Sequence, residues 1–248
     1  MLDFTIKEYI DLCLAFNNYT TYTVEDYFKG NLESNYIILR HDVDRSVNNA
    51  KRIARIEYEL GIRSTYYFRF PYTFNKRIIK EINNYGHEIG YHYEVMRKAG
   101  GNIETAKDYF IEELNEFRKI ANVTTVAMHG SPLSKYNNID FWKHYNLKDF
   151  NLIGEAFLDF KDIMYFSDTG RNWNNRFNIR DKINNDSDEF LRGTNDLIYI
   201  INNKKYSKLY ISSHPERWSD NLIEWTYNLL KDFIFNIIKV IIKVVRHE

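Results

Sequence analysis

Tyr36-Ile37-Ile38-Leu39-Arg40-His41-Asp42-Val43-Asp44-Arg45 is an apolar run that closes on two aspartates one residue apart. Residues i and i+2 of a strand share a face, so Asp42 and Asp44 project together from the carboxyl end of a buried strand. In α/β proteins that end carries the chemistry. A metal ligand beside a general base fits such a pair.

Further strand-like runs follow at residues 64–70, 88–93, 124–128, 152–157, 163–166, 197–201 and 208–212. Helical patterns separate several of them, with Ile53, Ile56 and Leu60 spaced through 47–60 and Phe110, Leu114 and Phe117 through 103–120. Gly61, Gly86 and Gly100-Gly101 stand where these helices should end, the usual place of a left-handed cap. Alternating strands and helices predict a parallel sheet. Seven or eight such units in 248 residues favour a barrel over an open sheet.

No Pro/Gly/Ser-rich linker interrupts the chain, so 1–248 reads as one domain, with its motif-bearing core at 36–218 and a terminal helix at 219–248. Residues 171–192, rich in Asn, Asp and Arg, read as a long loop of the kind that often carries function. The 34 basic and 34 acidic residues balance, which argues against a nucleic-acid partner. The single cysteine, Cys13, excludes an internal disulfide and a cysteine-based zinc site, and suits a reducing compartment. Asp3, Lys7, Glu8 and Asp11 break up any secretory leader, so a cytoplasmic protein is expected. Aromatic residues reach 17%, but most such side chains are core, and abundance alone does not make a sugar-binding groove.

Between Leu229 and Val245 an apolar segment is broken by Lys231, Asp232, Lys239 and Lys243, which argues against a membrane-spanning helix. As an amphipathic helix it packs on the barrel, forms a dimer face, or makes a peripheral contact with the inner membrane surface. The sequence leaves the oligomeric state open.

Four more segments place ligand-capable side chains at strand ends. In Gly86-His87-Glu88-Ile89-Gly90-Tyr91-His92-Tyr93-Glu94, alternation puts His92 and Glu94 on one face. Val126-Ala127-Met128-His129-Gly130-Ser131-Pro132 ends a strand on a histidine, as does Leu209-Tyr210-Ile211-Ser212-Ser213-His214-Pro215. In Tyr165-Phe166-Ser167-Asp168-Thr169-Gly170-Arg171-Asn172-Trp173 an aspartate leaves a strand. Singly, each has a structural explanation. Asp44 or Ser46 can cap the following helix, His87 suits a buried hydrogen-bonded histidine, Trp173 suits packing, and His144 has no strand-end context. Jointly, Asp42, Asp44, His92, His129, Asp168 and His214 all fall at one end of successive strands.

Carboxylate with imidazole suits Zn²⁺, Co²⁺, Fe²⁺ or Mn²⁺. Such an open site lowers the pKa of water and polarises a carbonyl, which equips it to hydrolyse an amide. A second carboxylate can take a proton and a histidine can supply one. No Gly-x-Ser-x-Gly nucleophile motif or phosphate-cradling glycine loop competes with this reading.

From Tyr36 to Trp218 the chain resembles the polysaccharide deacetylases of carbohydrate esterase family 4, in particular a divergent subgroup associated with lipopolysaccharide O-antigen synthesis. The resemblance implies a distorted (β/α)7 barrel and a metal-dependent N-deacetylase, most often with zinc, acting on an N-acetylated sugar in surface-polysaccharide assembly. It implies Asp42 as base, Asp44 and His92 as metal ligands, His214 as acid, and Asp168 with Trp173 as the motif that tunes that acid. Arg171, Trp173 and Trp218 are its substrate-binding candidates. The chain departs from the pattern in three places. Val43 separates two aspartates that are usually adjacent. Met96 stands where a further metal histidine is usual, so His129 is preferred as third ligand, with Glu94 as the alternative. The segment matching the family's third motif has no arginine, leaving Arg40, Arg45 or Arg171 to orient the base. Two other readings stand beside this one: a degenerate barrel that binds a sugar or partner enzyme, and an amidohydrolase acting on a non-sugar amide.

Overall fold

Every residue of Tyr36–Val43 is buried, as the middle strand of a sheet covered on both faces must be. The computed structural model describes residues 2–173, 180, 183, 189 and 191–246, with side chains as far as 241. The proposed loop at 171–192 therefore lies largely outside the described residues. In chain order the elements are α1 (Ile6–Ala15), β1 (Thr20–Tyr22), α2 (Val24–Lys29), β2 (Tyr36–Val43), α3 (Val47–Glu59), β3 (Thr65–Phe68), α4 (Lys76–Asn84) and β4 (Glu88–Tyr93). There follow α5 (Val95–Lys98), α6 (Ile103–Arg118), β5 (Thr125–Met128), β6 (Gly154–Glu155), β7 (Met164–Ser167), α7 (Thr194–Asn202), β8 (Lys208–Ser213) and α8 (Leu222–Arg246).

The strands run parallel in the order β6-β5-β4-β3-β2-β8-β7, with β1 added beside β2. The α/β class and the parallel sheet are as expected. The expected barrel is not closed: β6 and β7 are edges with no pairing between them among the described residues, so the sheet is a curled half-barrel of seven strands. Residues 152–157 supply only the two-residue β6, too short a ladder to bridge the gap.

Residues 197–201 correct a second expectation. They form part of α7, not a strand, with Leu197, Ile200 and Ile201 buried at helical spacing and Tyr199 70% exposed. A five-residue apolar run does not distinguish the two periods. Among the described residues, no helix is long and apolar enough to cross a membrane.

The sheet's inner face is polar and tightly filled. A Cβ at Gly90 would lie 2.2 Å from the Tyr67 ring and 3.2 Å from the Thr125 carbonyl, so glycine lets Tyr67 cross the interior and share a hydrogen bond with Thr125. On the outer face, Glu57 of α3 lies 2.6 Å from the His41 ring and accepts from Ser64 and Tyr66, also at 2.6 Å, and from Tyr9. Burial pushes the Glu57 carboxyl up, yet His41 and His87 outweigh it and bring it down to about 2.

Glu88 shows the opposite balance. Its carboxyl accepts from Thr65 at 2.6 Å, from the Glu25 N–H at 2.9 Å and from Thr125, with no cation among these partners. Burial pushes it up to about 7. A carboxyl raised on folding favours the native state below its unfolded pKa, and that contribution falls as pH rises toward 7. The loss amounts to about 3 kcal/mol by pH 8. Glu88→Gln, which mimics the protonated acid, is therefore expected to raise the unfolding midpoint at pH 8 and to raise it much less at pH 5. An equal effect at both pH values would contradict this account.

Candidate metal centre

The parallel strands deliver the polar side chains to one rim. Asp42 lies near the end of β2, His92 near the end of β4, and His129, Asp168 and His214 directly follow β5, β7 and β8. Ser46, not Asp44, caps α3 by accepting from the Asn49 N–H at 3.3 Å, which leaves the Asp44 carboxylate to the cavity.

One ligand atom from each of Asp44, His92 and His129 lies within 4.8 Å of the others. His92 Nε2 is 3.4 Å and His129 Nε2 3.6 Å from Asp44 Oδ1. That oxygen is buried and accepts no hydrogen bond from the described residues. Each imidazole is tied from behind. His92 Nδ1 meets the Ala127 carbonyl at 3.0 Å, a contact that assigns the proton to Nδ1. His129 Nδ1 faces Ser131 at 2.8 Å and Glu94 at 3.4 Å. Both Nε2 lone pairs are thereby turned toward the orphaned carboxylate oxygen, the arrangement found behind metal-ligating histidines. His92 is buried while Asp44 and His129 are half-buried, so the group is open toward the cavity. These three residues could hold a metal ion, and the donor set suits the zinc-like ions.

Electrostatics point the same way. Burial pushes the Asp44 carboxyl up, and His129, His92 and His214 outweigh it, holding it well below the usual carboxylate range. Burial pushes His92 down, and Asp42 with Asp44 raises it above the ordinary value. A site that raises an imidazole's proton affinity attracts cations generally.

Of the two sequence candidates for a third ligand, the geometry groups His129. Glu94 instead stands behind it, buried, paired with Arg69 at 2.9 Å and Arg97 at 2.6 Å. Burial pushes the Glu94 carboxyl up, and His129 with Arg69 pulls it well below its usual value. Met96 is buried within α5.

Asp42 lies beside this group, with Oδ2 3.9 Å from His92 Nε2. Arg40, two residues earlier on the same face of β2, grips it with two parallel bonds, Nε to Oδ1 at 2.8 Å and Nη2 to Oδ2 at 2.6 Å. Burial pushes the Asp42 carboxyl up, and Arg40 with His92 more than reverses that. Of the three arginines that sequence reasoning left open, Arg40 makes this contact.

From the end of the neighbouring strand β8, His214 Nε2 is 3.9 Å from Asp44 Oδ2 while its Nδ1 lies 2.6 Å from Asp168 Oδ1. Asp168 also accepts from Ser213 Oγ at 3.0 Å, the His214 N–H at 2.9 Å and Arg217. Burial pushes Asp168 up, and Arg217 with His214 brings it down to about 2. Arg217 was not singled out from the sequence, although it stands one short turn beyond His214.

The three substrate-contact candidates sit elsewhere. Trp173 and Trp218 are fully buried, donating to Thr194 and Ser213, and both pack around Phe4. Arg171 lies over Phe4 and Trp225 and donates to the Arg217 carbonyl. The cavity itself, of about 250 Å³, is walled by the metal-ligand candidates, Asp42, His214 and residues of α8 that include Asp232, Phe235 and Ile238.

Neither a scan against protein-family models nor a search of curated proteins matches the chain.

Proposed function

We propose that the protein is a metal-dependent N-deacetylase acting on an N-acetylated sugar in surface-polysaccharide assembly. One observation carries the reading: an arginine-clamped carboxylate, Asp42, and an aspartate-backed imidazole, His214, line the same cavity as Asp44, His92 and His129, Asp42 3.9 Å from His92 and His214 3.9 Å from Asp44. Asp44, His92 and His129 would hold a divalent ion, which would supply Lewis acidity for the hydrolysis when bound.

The protein's own groups would provide the proton transfers. Arg40 keeps Asp42 ionised, and each of its oxygens retains a lone pair to accept a proton from water. As the water oxygen bonds to the acyl carbon, the carbon–nitrogen bond breaks and the amine takes a proton from His214 Nε2. Asp168 fixes the His214 ring by its Nδ1 and stabilises the positive charge that the ring carries before transfer. The products are acetate and a free amino sugar.

Elemental analysis is expected to find about one divalent ion per chain, as for an open three-ligand site. His92→Ala should abolish it, and the loaded protein should release acetate from acetamido sugars. A protein that holds no stoichiometric metal would sink the reading and favour a non-catalytic binding protein on the same half-barrel. A second reading, hydrolysis of a non-sugar amide, gains support from the burial of Trp173 and Trp218, which removes them as stacking surfaces for a sugar ring. A panel of acetamido sugars against linear and cyclic amides separates these two.

A further inference from the structure

The charges around the cavity are not evenly matched. Arg45, Arg171 and Arg217 face three carboxylates, Glu216, Asp232 and Asp168, and Arg40 faces Asp42. Arg69, which directly follows β3, and Arg97 of α5 instead share one carboxylate, Glu94, at 2.9 and 2.6 Å. The same carboxylate backs His129 at 3.4 Å. Among the described residues, no other carboxylate pairs with either arginine. Both arginines line the cavity, whereas Glu94, fully buried, is not part of its wall.

Arg69 is held in place. Its Nη1 donates to the Asp44 carbonyl at 3.2 Å, its Nη2 donates to Glu94, and the guanidinium lies 4.7 Å over the Tyr72 ring. Its Nε is buried and donates to no described residue. Arg97 is more open, 44% exposed, and gives Nη1 to Glu94. These contacts set the pair against two of the three metal-ligand candidates, through the Asp44 backbone and the carboxylate behind His129. A divalent ion in the triad adds two positive charges where Asp44 supplies one negative. The surplus falls on the stretch of wall that Arg69 and Arg97 form. A neutral sugar leaves it unmatched, whereas an acidic group is drawn to it and accepts paired bonds from a guanidinium fork.

We infer that Arg69 and Arg97 form a subsite for an acidic group, phosphate or carboxylate, so that the substrate is an anionic acetamido sugar. The sugar part rests on the deacetylase reading; the subsite is tested by binding alone. The full chain is titrated calorimetrically with N-acetylglucosamine, with its 1-phosphate and with the corresponding uronic acid. At least one acidic ligand is expected to bind about tenfold or more tightly than the neutral sugar, and the better of the two identifies the group. Arg97→Gln should cut that preference by about tenfold, the scale of one hydrogen bond between charged groups, and Arg97→Lys should restore part of it. Because Glu94 also backs His129, metal content and circular dichroism are read alongside and should match the parent chain. Equal affinity for all three ligands, or no binding of either acid, overturns the subsite. So does a preference that survives Arg97→Gln but disappears in His92→Ala, which would assign the anion to the metal. Binding of an acidic sugar without acetate release would uphold the subsite and refute the hydrolase. Acetate release from neutral and acidic sugars alike, indifferent to Arg97, would refute the subsite alone.

Discussion

Asp42→Asn is expected to keep its full complement of metal and to lose about a thousandfold in acetate release, the usual scale for removing a positioned base. Asparagine has nearly the shape of aspartate and can still accept a bond from Arg40, but it cannot take a proton from water. Asp42 also stands outside the Asp44, His92 and His129 group, so elemental analysis should not register the change. The substitution leaves Arg40 without its counter-charge, so the assay belongs well below the variant's unfolding temperature, with circular dichroism read alongside. His214→Ala should fall by a similar factor, through loss of the proposed proton donor. If Asp42→Asn retains full turnover with metal bound, Asp42 is not the base, and the division of labour between the two aspartates fails.

The residues of this proposed division were only half legible in the sequence. The polar strand ends were legible because each follows a short apolar run, and parallel strands carry such ends to one rim whatever their separation along the chain. Residues from Asp42 to His214 therefore converge as expected. What the spacing could not rank was the set of charged neighbours. Arg40, Arg45 and Arg171 were equal candidates until the fold placed Arg40 on the inner face of β2 and turned Arg171 against Phe4. Likewise His129 and Glu94 lie at the ends of adjacent elements, and only the pairing of Glu94 with Arg69 and Arg97 sends it behind the imidazole. The missing barrel closure and the helical 197–201 have a common cause, since both rest on apolar runs too short for periodicity to judge. Helix α8 was recognisable as amphipathic, but amphipathicity does not say which stripe faces inward. That required the contacts of Glu224, Asn228, Asp232 and Asn236.

Arg40→Met is expected to destabilise the fold by about 3–5 kcal/mol, the range for removing one partner of a buried ion pair. The guanidinium is fully buried. Besides Asp42 it donates to the Ala156 carbonyl at 3.1 Å and to Tyr210 at 3.2 Å, and it lies 4.1 Å over the Phe157 ring. Methionine fills much of the volume, so the principal cost is the Asp42 carboxylate left in a buried site with a single charged neighbour fewer. It follows that Arg40→Met with Asp42→Asn should be more stable than Arg40→Met alone, because the second change removes the orphaned charge. The cycle is best run by denaturant unfolding in the presence of chelator, so that no bound ion takes over the compensation of Asp42. Contacting residues of this kind couple by roughly 0.5–3 kcal/mol. Strictly additive losses would mean that Arg40 acts on stability only through its packing against Phe157 and its bonds to Ala156 and Tyr210. Its clamp on the proposed base would then contribute nothing to the fold.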